Sequence, residues 1–302
     1  MQSHTTPIAA ILLTDRIRIF FSCRSKEDKN RNFISYASFV DLDINNPVKI
    51  IYQHDKQLLK LGNVGMFDEY GTMIAKPVIH DKVINFYYMG WQRLSGLTAP
   101  YQVTLGLAKS YDFGMSFEKI SNGPVLGIDI YDPISIGNVS VIIENGIWKM
   151  WYTSFTRWCF NGKKPTPEYN IKYAESFDGI SWKKTNVICV SENENGGVAT
   201  PSVIKINNTY HMWFGFRQSY NKDGNVAGYK IGYASSMNGI DWKRNDEIAG
   251  ISNSKSGWDS EMVCYPHIIN VGKKLLMFYC GNGFGKSGFG YAESNLEEIF
   301  NY

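Results

Sequence analysis

The 302 residues are enough for two average domains or for one large all-β domain. The formal charge is only +3 and the lysines and arginines are scattered, so the sequence lacks the basic stripe that a nucleic-acid partner requires. No apolar run approaches the roughly 18 residues of a membrane-spanning helix, and we therefore expect no membrane insertion.

The N-terminal stretch MQSHTTPIAA has no basic segment followed by a long apolar one, so we expect no signal peptide. The five cysteines show no metal-type spacing, and Cys23, Cys264 and Cys280 lie in apolar runs as small core residues would. The sequence thus predicts a cytoplasmic protein that needs neither a metal nor another cofactor.

A short apolar strand, a polar turn and an aromatic-rich strand recur five times along the chain. The copies span 9–24, 76–90, 138–154, 200–217 and 265–281. Each has turn-forming residues in its middle, such as Asn145-Gly146, which tolerate the positive φ of a tight hairpin. Each copy therefore predicts a β-hairpin.

A second motif follows each hairpin and consists of an aromatic residue or Leu, an Ala, a nearby Ser, a turn and another aromatic residue. Its alanines are Ala37, Ala108, Ala174, Ala234 and Ala292. Two hairpins per unit and five units predict one all-β domain over residues 1–302, a five-bladed β-propeller with four antiparallel strands per blade. The expected blade boundaries lie near residues 65, 127, 191 and 252. A large β-sandwich is the alternative, but it gives no reason for the same two hairpins to recur in the same order.

Candidate site residues concentrate at one rim of this propeller. The segments that enter the first strand of each blade and those that leave the second strand end at the same rim. The entering segments carry His4, Asp68, Glu69, Asp132, Asp259 and Glu261. The leaving segments carry Arg24, Trp91, Arg157 and Arg217. Any one of these carboxylates is by itself typical of a solvated loop, but their convergence suits glycoside cleavage, which uses one carboxyl as acid and another as base or nucleophile.

Several stretches resemble a known family. They are SHTTP from Ser3, GMFDEYGTM from Gly65, KYAESFDGISW from Lys172, GWDSEMVCYPHI from Gly257 and YCGNGFGKSGFGYAES from Tyr279. The chain resembles the five-bladed propeller superfamily of arabinanases, β-xylosidases, invertases, levansucrases and mannoside phosphorylases. Within it, the chain is most similar to uncharacterised glycosidase-like proteins of bacterial surface-polysaccharide gene clusters.

This resemblance implies a carbohydrate ligand and a glycosidase-like activity on a glycosidic bond, in surface-polysaccharide metabolism. Two alternatives stay open: phosphorolysis of a glycoside, and a non-catalytic carbohydrate-binding or accessory role in polysaccharide biosynthesis. Hydrolases of the superfamily carry an Asp at the first blade's channel position, where this sequence has Ser3-His4. Either His4 replaces that carboxylate as base, which a histidine can do near neutral pH, or the role has moved to Asp68 or Glu69.

The predicted site residues fall into two sets. The catalytic candidates are Glu261, Asp259, Asp68 and His4. The substrate-binding candidates are Glu69, Arg24, Trp91, Asp132, Arg157, Arg217, Trp258 and Asn282. Glu261 is the first choice as general acid. An apolar setting raises a carboxyl pKa, and its neighbours in the sequence predict such a setting: Trp258, Met262, Val263 and Tyr265.

Overall fold

The computed structural model describes residues 3–26, 33–94, 100–160, 165–192, 196–217 and 228–299. Within these ranges the regular secondary structure is almost entirely β-strand, as the sequence predicted. The helical turns are Asp246–Ile248, α1 (Asn282–Gly285) and α2 (Leu296–Ile299). None of the helices in the described ranges has the length and apolarity to cross a membrane.

The strands form five consecutive antiparallel groups. Group one comprises β1 (Ile8–Leu12), β2 (Arg16–Arg24), β3 (Ser35–Asp43) and β4 (Asn46–Gln53). Group two comprises β5 (Gly71–His80), β6 (Val83–Arg93), β7 (Tyr101–Ser110) and β8 (Glu118–Lys119). Group three comprises β9 (Ser135–Glu144), β10 (Ile147–Phe160), β11 (Pro165–Ser176) and β12 (Lys183–Val190). Group four comprises β13 (Gly197–Ile206), β14 (Thr209–Arg217), β15 (Lys230–Ser236) and β16 (Lys243–Arg244). Group five comprises β17 (Cys264–Val271), β18 (Lys274–Cys280) and β19 (Phe289–Asn295).

The hydrogen-bonded sheets differ from the separate four-stranded sheets that the sequence predicted. Short parallel pairings join β3 to β5 and β11 to β13, so the described strands form two sheets of eight strands and one of three. The chain after β19 forms α2, which leaves group five with three described strands. The predicted boundaries at 65, 127, 191 and 252 each lie in a connection between groups.

Apolar contact between neighbouring groups builds the core. Each first strand contacts the next, from β1 through β5, β9 and β13 to β17, and β17 contacts β1. Five buried clusters lie between successive groups, and one of them joins group five to group one through residues such as Ile19 and Leu276. Contacts between first strands therefore run through all five groups and return from the fifth to the first.

The turns explain why the hairpins close tightly. The β9–β10 turn has Asn145 at φ 51° and Gly146 at φ 76°, and the β13–β14 turn has Asn207 at 48° and Asn208 at 66°. Type I′ turns require a positive φ at both central residues, and Asn and Gly adopt it at the lowest cost. The β11–β12 turn, at the same end of group three, uses a different device, in which the Ser176 hydroxyl accepts a hydrogen bond from the Gly179 N–H (3.0 Å).

Substitution of Gly179 tests how tightly these turns pack. At φ 70°, its Cβ would lie 2.8 Å from the Trp148 ring and 2.9 Å from the Tyr87 hydroxyl, whereas a Cβ on Gly146 meets open space. Gly146→Ala should lower the free energy of unfolding by about 1–2 kcal/mol, which is the cost of a left-handed backbone at a non-glycine residue. Gly179→Ala should lower the free energy of unfolding in urea by clearly more than Gly146→Ala. Equal losses in the two variants would show that the turn does not pack tightly against group two.

Candidate functional site

A pocket of about 350 Å³ opens above the first strands, at the ends where the second strands finish. Residues of all five groups line it. The aromatic part of the wall comes mainly from groups one to three: Phe33 stacks on Trp91 with ring centres 5.3 Å apart, and Trp91 lies 6.1 Å from Tyr101. Phe155 and Tyr169 continue the wall, with their ring centres 5.3 Å apart.

Two arginines line the same pocket. The Arg24 guanidinium lies over the Phe33 ring at 4.4 Å, and its Nη1 is 3.5 Å from Nε2 of His4. Arg217 is almost fully buried, lies over the Tyr169 ring at 5.4 Å and donates a hydrogen bond to the Pro167 carbonyl. The lining residues that the structure describes include no Asp and no Glu.

Backbone strain also concentrates at this pocket. Thr200 and Tyr265 both line it, both precede a proline, and they have φ values of 54° and 55°. Each lies where its strand breaks register by a β-bulge, which re-aims the side chain. A non-glycine residue in this region costs about 1–3 kcal/mol, and such strain is typical of functional sites.

Three buried aspartates lie outside this pocket, and each is paired with a tyrosine. Asp68, Asp132 and Asp259 each accept a hydrogen bond from a tyrosine hydroxyl twenty residues later, at 3.0, 2.9 and 2.9 Å. The tyrosines are Tyr88, Tyr152 and Tyr279. Each pair thus ties the segment that enters a first strand to the second strand of the same group.

Positive charges stabilise two of these carboxylates further. Lys119 Nζ lies 2.5 Å from Asp68, and Lys172 and Lys184 lie 3.1 and 2.9 Å from Asp132. Burial by itself would raise the pKa of Asp132, but the hydrogen bond from Ser154 and the charge of Lys184 offset it, so the pKa is lowered. Asp132 is therefore ionised in the folded protein.

The four predicted catalytic residues do not meet in one pocket. Asp68 borders a second pocket of about 400 Å³, between residues 57–66 and Lys119. Asp259 is buried against Tyr279, and Glu261 is exposed instead of enclosed by apolar side chains. His4 lies beside Arg24, and burial, followed by the charges of Arg24 and Lys286, lowers its pKa. His4 is thus neutral near pH 7.

Trp258 and Asn282 shape the loop that carries Glu261. The Asn282 side-chain oxygen accepts hydrogen bonds from the backbone N–H groups of Glu261 (2.8 Å) and Met262 (3.2 Å). Trp258 stacks on Tyr279, with ring centres 5.1 Å apart. Both residues were predicted to bind substrate, but the described pocket lining contains neither of them.

Some of the remaining candidates make contacts within the scaffold, and others line the pocket. Glu69 accepts a hydrogen bond from the Gly65 N–H (2.8 Å) and closes its own loop. Arg157 pairs with both oxygens of Glu168, at 2.6 and 3.0 Å. Of the twelve predicted residues, Arg24, Trp91 and Arg217 line the pocket.

Sequence reasoning missed two titratable residues on the first strands. Lys76 lies opposite Tyr87 and His267 lies opposite Phe278, each directly after the bulge of its strand. His267 Nε2 is 3.0 Å from the Ala10 carbonyl oxygen, and burial holds its pKa well below the usual value. Burial also lowers the pKa of Lys76 to about 8, and this charge opposes protonation of His267. Both residues lie in copies of the recurring hairpin motif, and their positions in it were the sequence signal that could have identified them.

Two proteins of Mycobacterium tuberculosis are similar to this chain over nearly its whole length. No family model matches the chain. The uncharacterized protein MT1551 of Mycobacterium tuberculosis strain CDC 1551 is 33% identical over 294 residues, which cover 96% of this chain and 92% of that protein. The protein Rv1502 of strain H37Rv matches with the same identity and coverage. The chain belongs to the family of these mycobacterial proteins.

A more distant relative has a named activity. A 1,2-beta-oligomannan phosphorylase of Thermoanaerobacter sp. strain X514 is 25% identical over 161 residues, which cover 49% of this chain and 51% of that enzyme. The match thus spans about half of either protein.

Solved structures agree on the fold. A structure from the GH130 family of mannoside phosphorylases, described as containing hydrolases of β-1,2 mannosidic linkages, has a TM-score of 0.67 and 14% identity, and the match covers 98% of this chain and 85% of that one. A thermostable family-43 glycoside hydrolase has a TM-score of 0.62 and 15% identity, with 97% and 92% coverage. The chain therefore has the fold of the propeller glycosidases, and the resemblance indicated by its sequence is confirmed.

Lys76 provides a stability test of the packing of the first strands. Its pKa is about 8 in the folded protein, against an ordinary value of 10.5. Below pH 8 the amine is charged in both states, so the folded state bears the cost of burying the charge; above pH 10.5 it is neutral in both, and the cost vanishes. Lys76→Met should therefore raise the free energy of unfolding at pH 7 by about 1–3 kcal/mol more than at pH 10.5.

The control is Lys255→Met, because Lys255 is exposed. Its effect on unfolding should be small and nearly the same at both pH values. A Lys76→Met effect that does not change between pH 7 and pH 10.5 would contradict the burial of a charged amine on β5.

Proposed function

We propose that the protein is a glycosidase-like enzyme that binds a carbohydrate in the pocket above the first strands and acts on a glycosidic bond. The observation that carries the proposal is the aromatic wall of Phe33, Trp91 and Tyr101, which lines one pocket together with Arg24 and Arg217. Aromatic rings bury a large apolar surface and can pack on the apolar face of a sugar ring. The shared fold of glycoside hydrolases adds support by analogy.

We propose a single domain over residues 1–302, in the form of a closed propeller with five blades. Support comes from the contacts that run through the first strands and return from β17 to β1. The five apolar clusters between successive groups support the same arrangement, because each group then buries both of its faces.

Glu261 and His4 remain our candidates for the chemistry of bond cleavage. The backbone of Glu261 packs beside Gly228, next to the pocket residue Tyr229, and its carboxyl is exposed at that margin. His4 adjoins the pocket residue Arg24 and is neutral near pH 7, as a general base must be. Asp68 and Asp259 are tied to Tyr88 and Tyr279, which favours a supporting role for them.

Phosphorolysis is the second candidate function. Two arginines at one pocket are suited to an anion, because guanidinium groups bind phosphate through paired hydrogen bonds. The partial similarity to an oligomannan phosphorylase adds support to this alternative. We also propose a role in surface-polysaccharide metabolism.

The activity can be tested with β-1,2-linked mannooligosaccharides and a panel of p-nitrophenyl glycosides, each with and without inorganic phosphate. Release of free sugar without phosphate supports hydrolysis, and release of a sugar phosphate only when phosphate is present supports phosphorolysis. Binding without either product supports the non-catalytic alternative, and neither binding nor turnover contradicts the proposal.

Trp91→Ala tests the aromatic wall. The variant should weaken binding of the best oligosaccharide by about tenfold or more, which corresponds to about 1.4 kcal/mol, because it removes a ring from the pocket wall. Tyr111→Ala is the matched control, since Tyr111 is 70% exposed and lies beyond the far end of β7 from Tyr101. Equal affinities for the two variants, measured by isothermal titration calorimetry, would place the sugar elsewhere.

Glu261→Gln tests the general acid, because it preserves shape and removes the proton. Turnover of a substrate with a poor leaving group should fall roughly 10²–10⁴-fold, whereas a good leaving group needs little protonation and should lose much less. Glu118→Gln, on exposed β8, serves as the control. Equal small losses on both substrates, with an unchanged melting temperature, would exclude Glu261 as the acid.

A further inference from the structure

The second pocket, beside Asp68 and Lys119, is separate from the one above the first strands. Its volume is about 400 Å³, and the described linings of the two pockets share no residue. The connection that leads from β4 to β5 supplies most of its wall, and the region around β8 supplies the rest. Besides the charged pair, its lining includes Leu61, Asn63, Met66, Phe117 and Asn122.

The two buried charges of this pocket neutralise each other. Lys119 Nζ lies 2.5 Å from Oδ2 of Asp68, and the Tyr88 hydroxyl donates to the same oxygen at 3.0 Å. The Asp68 side chain is 2% exposed and that of Lys119 is 20% exposed. Lys60 also lines the pocket, but it is exposed, so solvent and salt screen its charge. The pocket therefore offers little attraction to a charged ligand.

Both members of the pair keep unused hydrogen-bonding capacity. The two printed bonds of Asp68 go to Oδ2, whereas Oδ1 has no hydrogen-bond partner among the described residues and is not fully shielded from solvent. An ammonium group has three N–H donors, and Asp68 is the one acceptor that the described residues give to Lys119. The pair thus leaves an acceptor and donors next to each other at one pocket.

Gly62 provides the space that Asp68 Oδ1 occupies. A Cβ at this position would collide with Oδ1 and would lie 2.8 Å from Cβ of Met66. Gly62 is not among the glycines with a positive φ, so close approach, not backbone conformation, accounts for a glycine here. The carboxylate is therefore held against the 57–66 connection at the wall of the pocket.

Neighbouring hydroxyl groups match this arrangement. A hydroxyl both donates and accepts, so two hydroxyls of one ring can donate to Asp68 Oδ1 and accept from Lys119 at the same time. Hydrogen bonds to charged groups contribute more than those between neutral groups. The ring of Phe117 adds an apolar surface to the same wall, on which the apolar face of a sugar ring can pack.

We propose that this pocket is a second carbohydrate site, which binds a neutral saccharide unit through Asp68 and Lys119. An anionic sugar gains nothing here, because its charge would meet the Asp68 carboxylate as closely as the Lys119 ammonium. The site does not depend on bond cleavage in the first pocket, and its role is to hold a further unit of a saccharide chain.

Methionine methyl groups report the two pockets separately. Met66 lines the second pocket, whereas Met73 and Met89 line the first. The experiment is a titration of the ¹³C-methyl-methionine-labelled protein with the methyl glycosides of glucose, galactose and mannose, followed by NMR. At least one of them should shift the Met66 resonance in a saturable manner. Methyl glucuronide should bind no more tightly than methyl glucoside, and Met237, which is 73% exposed, should not respond.

Two variants test the chemistry of the site. Asp68→Asn keeps the shape and removes the carboxylate, so the affinity reported by Met66 should fall about tenfold or more, as expected for a hydrogen bond to a charged group. Asp132→Asn is the matched control, because Asp132 is also buried against a tyrosine and lysines but lines neither pocket. Asn122→Trp places a large ring on an exposed lining residue, leaves the ion pair intact and should also weaken the Met66 response.

Three results would overturn the proposal: no saturable Met66 shift with any neutral glycoside, tighter binding of the glucuronide, or an unchanged Met66 affinity in the variants. If Asp68→Asn does not fold, Asn122→Trp decides. Shifts confined to Met73 and Met89 would reject the second site and support the proposed function. Shifts confined to Met66 would support the second site and count against carbohydrate binding in the first pocket.

Discussion

Apolar contact between neighbouring strand groups is the constraint on which the rest of the structure depends. Each group has two faces to bury, and the five clusters take residues from two groups each. The contact between Phe20 of group one and Phe86 of group two, with ring centres 5.2 Å apart, is one example. Because every group is held from both sides, the ends of the second strands converge above the first strands. This convergence brings Arg24, Trp91 and Arg217 to one pocket although they lie far apart in the sequence.

The buried aspartates of the described residues are held by contacts within the scaffold. Three of them accept hydrogen bonds from tyrosine hydroxyls, and the fourth, Asp41, pairs with Arg18 at 2.7 Å. Burying an ionised carboxylate is costly unless donors surround it, so these positions are fixed by the fold. The described pocket wall carries aromatic rings and two arginines but no carboxylate. The described residues therefore support a ligand-binding pocket more clearly than a catalytic pair of carboxylates.

The repeat made the β-fold and the exit ends of the second strands predictable. Arg24, Trp91 and Arg217 follow recognisable aromatic strands, and strand direction alone assigns them to the same rim. The positions of Asp68 and Asp259 could not be obtained in this way, because sequence order says only that they precede a first strand, not which way they point. An interval of twenty residues to a tyrosine in three groups was the missed signal. The exposure of Glu261 depends on the hydrogen bonds of Asn282 to its loop, a tertiary contact that no local pattern encodes.

The central claim is that carbohydrate binds above the first strands, in the pocket lined by the aromatic wall and the two arginines. The most direct measurement is a crystal structure of the protein with the oligosaccharide that it binds most tightly. We expect a sugar ring within contact distance of Trp91 and Tyr101, with a substituent hydrogen-bonded to Arg24 or Arg217. Sugar bound only in the pocket beside Asp68 and Lys119, with the pocket above the first strands unoccupied, would contradict the claim.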